Sequence, residues 1–327
     1  MSGPEIRTGR PGPDRPRTRL DFDRCVPATS VHKTSDAEVL LTDAERLGDE
    51  RFAVAALWSR DHYLAHHGHR AADPVLLAET ARQAAIHLSH RFLDVPHGLP
   101  FVLSEIGVDL CEELPQVGPE PLRVELDVHC RPPAAGSRRL RLALDAEVLV
   151  GQRSFGRARV CWEPMEARRY ALVRRRGGDG APRALPVGEP RSVALAPADV
   201  GQLAERDTLI AGDPLRANSW WLRLDRRHPV LFDHESDHVP GMALVEAFRQ
   251  AGHVTAGGRP GEGDATLLAV EFTAFGELHL PVSITARPTG CPSELSFTAR
   301  QGEREIARAT VRCGAPALHW TQLGAAC

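Results

Sequence analysis

The chain has 327 residues, 25% of them charged, and a formal net charge of −3; this gives room for two domains of about 150 residues and excludes the global basic field of a nucleic-acid binder. Its seven cysteines are scattered and hold no C-x-x-C pair, which argues for a reducing compartment and against a disulfide framework or zinc ribbon. No apolar run of about 18 residues and no signal peptide occurs, so a cytoplasmic protein without a membrane partner is expected.

Residues 1–24 are rich in Pro, Arg, Gly and Asp and read as a disordered tail. The first domain, 25–165, opens with Val31-His-Lys-Thr and Glu38-Val-Leu-Leu-Thr, then an apolar strand over 52–58. A His-rich connection, 61–70, leads to a helix over 74–90, followed by strands near 101–112, 122–131, 138–150 and 153–162. Alternating apolar residues and Gly151-Gln152 make the last two a hairpin. Residues 166–190 read as a basic Gly/Pro linker, a solvated tether in its plainest reading. The second domain, 191–327, offers a strand over 219–224, a helix over 240–254, and strands near 266–275, 282–288, 294–301 and 304–312.

The two helices are written alike. Around the second, Glu246, Arg249 and Gln250 share one narrow arc that His253 extends, while Met242, Leu244, Val245, Ala247, Phe248 and Ala251 cover the rest. Glu79, Arg82 and Gln83 repeat that arc 167 residues earlier, and Glu105 and Glu271 lie in register on the strands that follow. A helix apolar nearly all round is buried, so its polar stripe must meet partners, ligand or water. One long helix followed by an antiparallel meander, twice over, predicts an α+β tandem double hotdog: two long buried helices, each wrapped by a curved antiparallel sheet, with the sheets joined edge to edge.

Pro240-Gly241 followed by Glu246-Ala247, with His234 and His238 upstream, resembles the 3-hydroxyacyl-carrier-protein dehydratase type of hotdog enzyme. The first N–H groups of a helix are unpaired and can hold a thioester carbonyl, and a nearby His can shuttle protons at neutral pH. His234-Glu-Ser-Asp-His238 also satisfies H-E-x-x-H, but Pro240-Gly241 denies it the continuous helix a zinc site requires. His62, His66, His67 and His69 invite a metal, yet a polar loop is the plainer reading, with His67 as the faded counterpart of His234. Neither metal nor cofactor is expected. Lys33, the only lysine, could pair with a phosphate or form an imine with a ketone; a surface or capping role is the plainer alternative.

Val31-His-Lys-Thr with Glu38-Val-Leu-Leu-Thr, the Asp73–Ala84 helix, Val95-Pro-His-Gly-Leu-Pro-Phe-Val-Leu and the Asp237–Ala251 stretch together resemble the A-factor biosynthesis family of double-hotdog proteins, the γ-butyrolactone autoregulator synthases. The resemblance implies an acyltransferase that moves a β-ketoacyl group from acyl carrier protein to dihydroxyacetone phosphate, the ester phosphate then closing to a butenolide phosphate. Mapped onto this chain, His234 or His238 deprotonates the acceptor hydroxyl and the Gly241 N–H polarises the thioester. Glu79 orients the His or the acceptor, with Glu246 as its counterpart, and Gln83 and Gln250 join the substrate-binding set. Arg82 and Arg249 suit a phosphate, although a buried Glu–Arg pair that merely fixes the pseudo-dimer is the competing reading for each. His253 reads as a structural His. The first repeat has Ala72-Asp73-Pro74-Val75 where the second has His238-Val239-Pro240-Gly241, so one productive site, or two of unequal quality, is expected. The rivals are another acyl-thioester hotdog enzyme, dehydratase or thioesterase, and a non-catalytic regulatory or carrier-protein-binding module. Nucleic acid is not an expected partner; a homodimer of the chain stays open.

Overall fold

The computed structural model describes residues 19–64, 72–131, 139–178, 190–257 and 264–316. The first repeat supplies β1 (Leu41–Arg46), β2 (Arg51–Trp58), α1 (Pro74–Phe92), β3 (Phe101–Leu110), β4 (Leu122–Arg131), β5 (Leu142–Val150) and β6 (Arg153–Pro164). A further helix, α2 (Ala167–Gly178), precedes β7 (Val193–Ala194), β8 (Ile210–Gly212), β9 (Ser219–Leu222), α3 (Gly241–Thr255), β10 (Ala265–Phe272), β11 (Ser283–Pro288), β12 (Glu294–Gln301) and β13 (Arg304–Cys313). Among the described residues all strands join one antiparallel sheet in the order β1-β2-β4-β5-β6-β3-β10-β13-β12-β11-β9-β8-β7.

The double hotdog is present. β3 and β10 pair antiparallel with Glu105 opposite Glu271, so the two residues in register in the sequence face each other where the half-sheets meet. Like charges directly across a ladder destabilise it. Here each carboxylate has a cation: Arg159 Nε lies 3.2 Å from Glu105 Oε1, and Arg308 Nε 3.0 Å from Glu271 Oε2.

α1 is buried along most of its length, and Leu76, Leu77 and Leu88 are fully enclosed, each contributing about 1.5–3 kcal/mol. Its start is closed by its own sequence. Asp73 is the N-cap, its carboxylate accepting from Val75 N–H, and Pro74 needs no acceptor. α3 is buried likewise, but Pro240 stands at its N-cap and offers no side-chain cap. The first N–H groups of α3 are therefore left for something else.

The segment expected to be linker is helical from Ala167 to Gly178. Its first ten residues, Ala-Arg-Arg-Tyr-Ala-Leu-Val-Arg-Arg-Arg, contain no Gly or Pro and are mostly good helix formers, so the segment forms a helix despite its charge density. Residues 179–189, most of the expected tail, His66, His67 and His69 lie outside the described residues. Among the described residues no helix is long and apolar enough to cross a membrane.

Candidate active site

One cavity of about 1370 Å³ lies between α1, the segment 29–34, the loop 230–240 and the start of α3. Glu79 and Arg82 reach it from α1, Lys33 from the first segment, His234 and His238 from the loop, and Gly241 and Met242 from the uncapped end of α3. Its apolar lining includes Ile86, Leu103, Leu231, Leu244 and Phe272. Glu246 and Arg249 do not line it.

The α1 stripe forms a fixed charge cluster. Arg82 grips Glu79 with two bonds, Nε to Oε2 at 2.7 Å and Nη2 to Oε1 at 2.8 Å. Lys33, buried and not on the surface as its plainer reading had it, places Nζ 3.2 Å from Glu79 Oε1. Burial pushes the Glu79 carboxyl up, but Arg82 and Lys33 outweigh it and hold the group well below the usual carboxylate range. Two cations thus share this one carboxylate, with the buried side chain of Asp233 acting on Arg82 from further off.

The same bonds recur on α3 with one substitution. Arg249 grips Glu246 at 2.9 and 2.7 Å, and Gln202 Nε2, a neutral amide, lies 2.7 Å from Glu246 Oε1 where Lys33 meets Glu79. Gln202 also lies 3.1 Å from His62 Nε2, and Arg249 donates to the Val200 carbonyl at 3.1 Å. Here Arg249 and Glu246 pair one to one, with Arg249 Nε and Nη2 and both Glu246 oxygens hydrogen-bonded. His62, Asp73 and Glu246 bring metal-type donor atoms within 4.8 Å of one another, with the Gln202 amide bonded to both His62 and Glu246. His253 is buried beside this cluster.

Gln83 and Gln250 are expected to touch substrate and are placed elsewhere. Gln83 accepts from Leu40 N–H at 2.9 Å and donates to the Glu38 carbonyl at 2.8 Å; Gln250 does the same with Leu209 and Asp207 at 2.8 and 2.7 Å. Both are fully buried. They satisfy backbone groups of the segment crossing each helix, groups that cost free energy if left unpaired.

The two loop histidines differ. His238 Nδ1 lies 2.6 Å from Asp237 Oδ1, which also accepts from the Tyr170 hydroxyl at 2.9 Å, while Arg174 donates to Asp237 Oδ2 at 3.1 Å. Burial pushes Asp237 up, yet these donors hold it down at about 2. His234 makes no such bond; its Nδ1 is 3.9 Å from Asp233 Oδ2. Burial first, then Arg82 and Lys33, lower its pKa, so the ring is a neutral base at pH 7. Asp233 accepts from the Thr34 and Ser35 N–H groups at 2.6 and 2.9 Å, which ties the His234 loop to the segment carrying Lys33. No helix spans 233–240, so His234 and His238 do not share the helical face of a zinc motif.

His32 is a site residue beyond those anticipated. It lines the cavity in the left-handed region at φ 54°, where the second repeat has Gly201 at φ 70°. Non-glycine residues are uncommon there, His being one of the types that tolerate it. His32 Nε2 lies 2.9 Å from His90 Nε2, and His90 Nδ1 lies 2.8 Å from the Val95 carbonyl. A carbonyl only accepts, so His90 carries its proton on Nδ1 and its Nε2 accepts from His32 Nε2–H, leaving His32 Nδ1 as the lone-pair nitrogen. Burial lowers His32 to about 4, with His90 and Arg82 acting in the same direction. Its place in Val31-His-Lys-Thr, next to the only lysine, was the sequence signal.

A cavity built from the open end of one repeat's helix and the acid of the other's sits at the junction of the two halves of a double-hotdog protein. The model of the AfsA A-factor biosynthesis hotdog domain matches residues 16–166 and 187–315, and the chain belongs to that family. It is 36% identical over 269 residues to a 2-oxo-3-(phosphooxy)propyl 3-oxoalkanoate synthase of Streptomyces virginiae, covering 80% of this chain and 87% of the relative. A protein of the same name from Streptomyces griseus is 35% identical over 231 residues, 69% of this chain and 74% of the relative. Among solved structures, the 12:0-ACP thioesterase from Umbellularia californica matches with a TM-score of 0.50 at 13% identity, over 80% of this chain and 96% of that one, a likeness of fold.

Proposed function

We propose that the chain is an acyltransferase that moves a 3-oxoacyl group from acyl carrier protein to dihydroxyacetone phosphate, a cytoplasmic step in γ-butyrolactone signal synthesis. The observation that carries this reading is a pair of cations on one carboxylate at the cavity wall: Lys33 and Arg82 both meet Glu79, where the second repeat has a neutral Gln202 in the seat of Lys33. An ammonium and a guanidinium side by side on a cavity wall suit an anionic ligand, and a phosphate monoester supplies it. Water or a 3-hydroxyl, the co-reactants of the thioesterase and dehydratase readings, makes no such use of two neighbouring cations.

In this assignment the acceptor phosphate rests against Lys33 and Arg82, with Glu79 fixing both. The acyl chain lies along Leu103, Leu244 and Phe272, and the thioester oxygen turns to the open N–H groups of Gly241 and Met242. His234 removes the acceptor hydroxyl proton as that oxygen attacks the thioester carbon. The tetrahedral intermediate collapses, the C–S bond breaks, and the imidazolium returns its proton to the departing thiolate. The ester forms with no change of oxidation state.

The test is a product assay with a 3-oxoacyl thioester, with and without dihydroxyacetone phosphate, read by mass spectrometry. A phosphate ester or butenolide phosphate that needs the acceptor and is lost in His234→Ala is the expected result. Hydrolysed or dehydrated thioester formed regardless of acceptor would overturn it.

A further inference from the structure

In a chain of net charge −3, α2 holds five arginines within nine positions (Arg168, Arg169, Arg174, Arg175, Arg176) and no acidic residue. The inward side of the helix explains part of this. Tyr170 and Val173 line the cavity, and Arg174 ties the helix to Asp237 and Glu277. Arg169 is paired with Glu163. The opposite stripe has no such account. Arg168, Leu172 and Arg175 follow the i, i+4, i+7 spacing that puts side chains on one line of a helix. All three are exposed, Leu172 at 43%, and neither arginine has an ion-pair partner among the described residues.

Resting on the acyl-transfer reading above, we infer that this Arg168–Leu172–Arg175 stripe is the docking surface for the acidic carrier protein that delivers the acyl thioester. The surface meets the two demands of that partner. Its charge is opposite to that of an acidic helix, with an apolar contact between the cations, the arrangement that sets orientation and on-rate at a transient interface. Its position is also right. The other face of the same helix is cavity wall, so a docked carrier sits about one helix diameter, roughly 10 Å, from the cavity. A flexible phosphopantetheine arm passes the helix edge and presents its thioester to Gly241. The charge is local, and the overall negative balance of the chain disfavours a general polyanion as the occupant.

The experiment compares wild type with Arg168→Glu/Arg175→Glu, neither residue being part of the cavity. Transfer to dihydroxyacetone phosphate is measured from two donors, a 3-oxooctanoyl group on holo acyl carrier protein and the same group on N-acetylcysteamine. Binding of the carrier protein is read separately by calorimetry at about 50 and about 300 mM salt. The expected result is a KM for the carrier-bound donor raised about tenfold or more, an unchanged KM for the small thioester, and carrier binding that weakens with both salt and charge reversal. Equal effects on both donors, carrier binding indifferent to the two changes, or equally tight binding of a random RNA oligomer would each overturn the inference. A wild type that binds carrier protein through this stripe yet transfers from neither donor would instead remove the acyl-transfer reading and leave the docking surface standing.

Discussion

Gln202 occupies in the second repeat the seat that Lys33 holds in the first: each points a nitrogen at the Oε1 of its helix glutamate, at 2.7 and 3.2 Å. The same carboxylate, arginine and glutamine surround both. The molecule thus carries its own control for what one ammonium adds.

Lys33→Gln copies the seat that the other half already accommodates, so the fold is expected to survive. Losing one charge-assisted contact to phosphate, about 1.5–3 kcal/mol, should raise KM for dihydroxyacetone phosphate roughly 10- to 100-fold. KM for the thioester should stay within about twofold. Steady-state kinetics with each substrate varied in turn, beside a thermal melt, checks this; a matching rise for the thioester would mean that Lys33 supports the whole cavity.

Glu246→Gln tests whether the second cluster is structural. Glu246 is fully buried and Arg249 is its partner, so the change strands a buried guanidinium and should cost about 3–5 kcal/mol by chemical denaturation. The acceptor KM of the remaining folded enzyme should not move. The pH dependence has a definite sign. Burial raises the Glu246 pKa, but Arg249 and the amides bring it below normal, so the folded state binds its proton less readily than the unfolded chain. Its contribution is present above the unfolded carboxylate range, near pH 4.5, and fades as pH falls toward the depressed folded value. Wild type should lose stability through that window more steeply than Glu246→Gln.

His32→Gly installs the residue found at the equivalent place in the second repeat. The left-handed backbone costs glycine nothing, so stability at pH 7 should change little, while the turnover number should fall at least about tenfold if His32 Nδ1 serves the reaction. A folded pKa of about 4 against an ordinary 6.5 means that wild type loses stability as pH falls from about 6.5 toward 4. Melts of both proteins across that range should show the shallower slope for the variant.

Gly241→Ala probes the thioester seat. A Cβ there would lie 3.3 Å from Phe272 Cζ and 3.6 Å from Leu103 Cδ2, close enough to displace the ring. The expected outcome is a turnover number about tenfold lower with the acceptor KM unchanged, restored in part by Phe272→Leu.

The duplication was legible because a buried helix exposes its polar stripe as a pattern, and Glu-x-x-Arg-Gln occurs twice. The same pattern misled at Gln83 and Gln250. A stripe shows that polar groups need partners without showing that those partners are the backbone of residues 38–40 and 207–209. The match of Lys33 to Gln202 was hidden, since Val31-His-Lys and Val200-Gly-Gln share one letter and only the fold superposes them. Arg82 and Arg249 read identically, and what separates them lies elsewhere in the chain, in Gln202 and in the Val200 carbonyl that holds Arg249. The helical character of α2 was obscured by its charge.

The ladder between β3 and β10 has a practical meaning. The repeats are held together by backbone pairing from Leu267 opposite Asp109 to Glu271 opposite Glu105, and by Arg174 reaching across to Asp237 and Glu277. Covalent continuity between them is then expected to be dispensable. Two separately expressed chains, divided after α2, should find each other and reconstitute the cavity as a split enzyme. Each piece brings half of what transfer requires: one the cations and the acid, the other the imidazole and the open helix end.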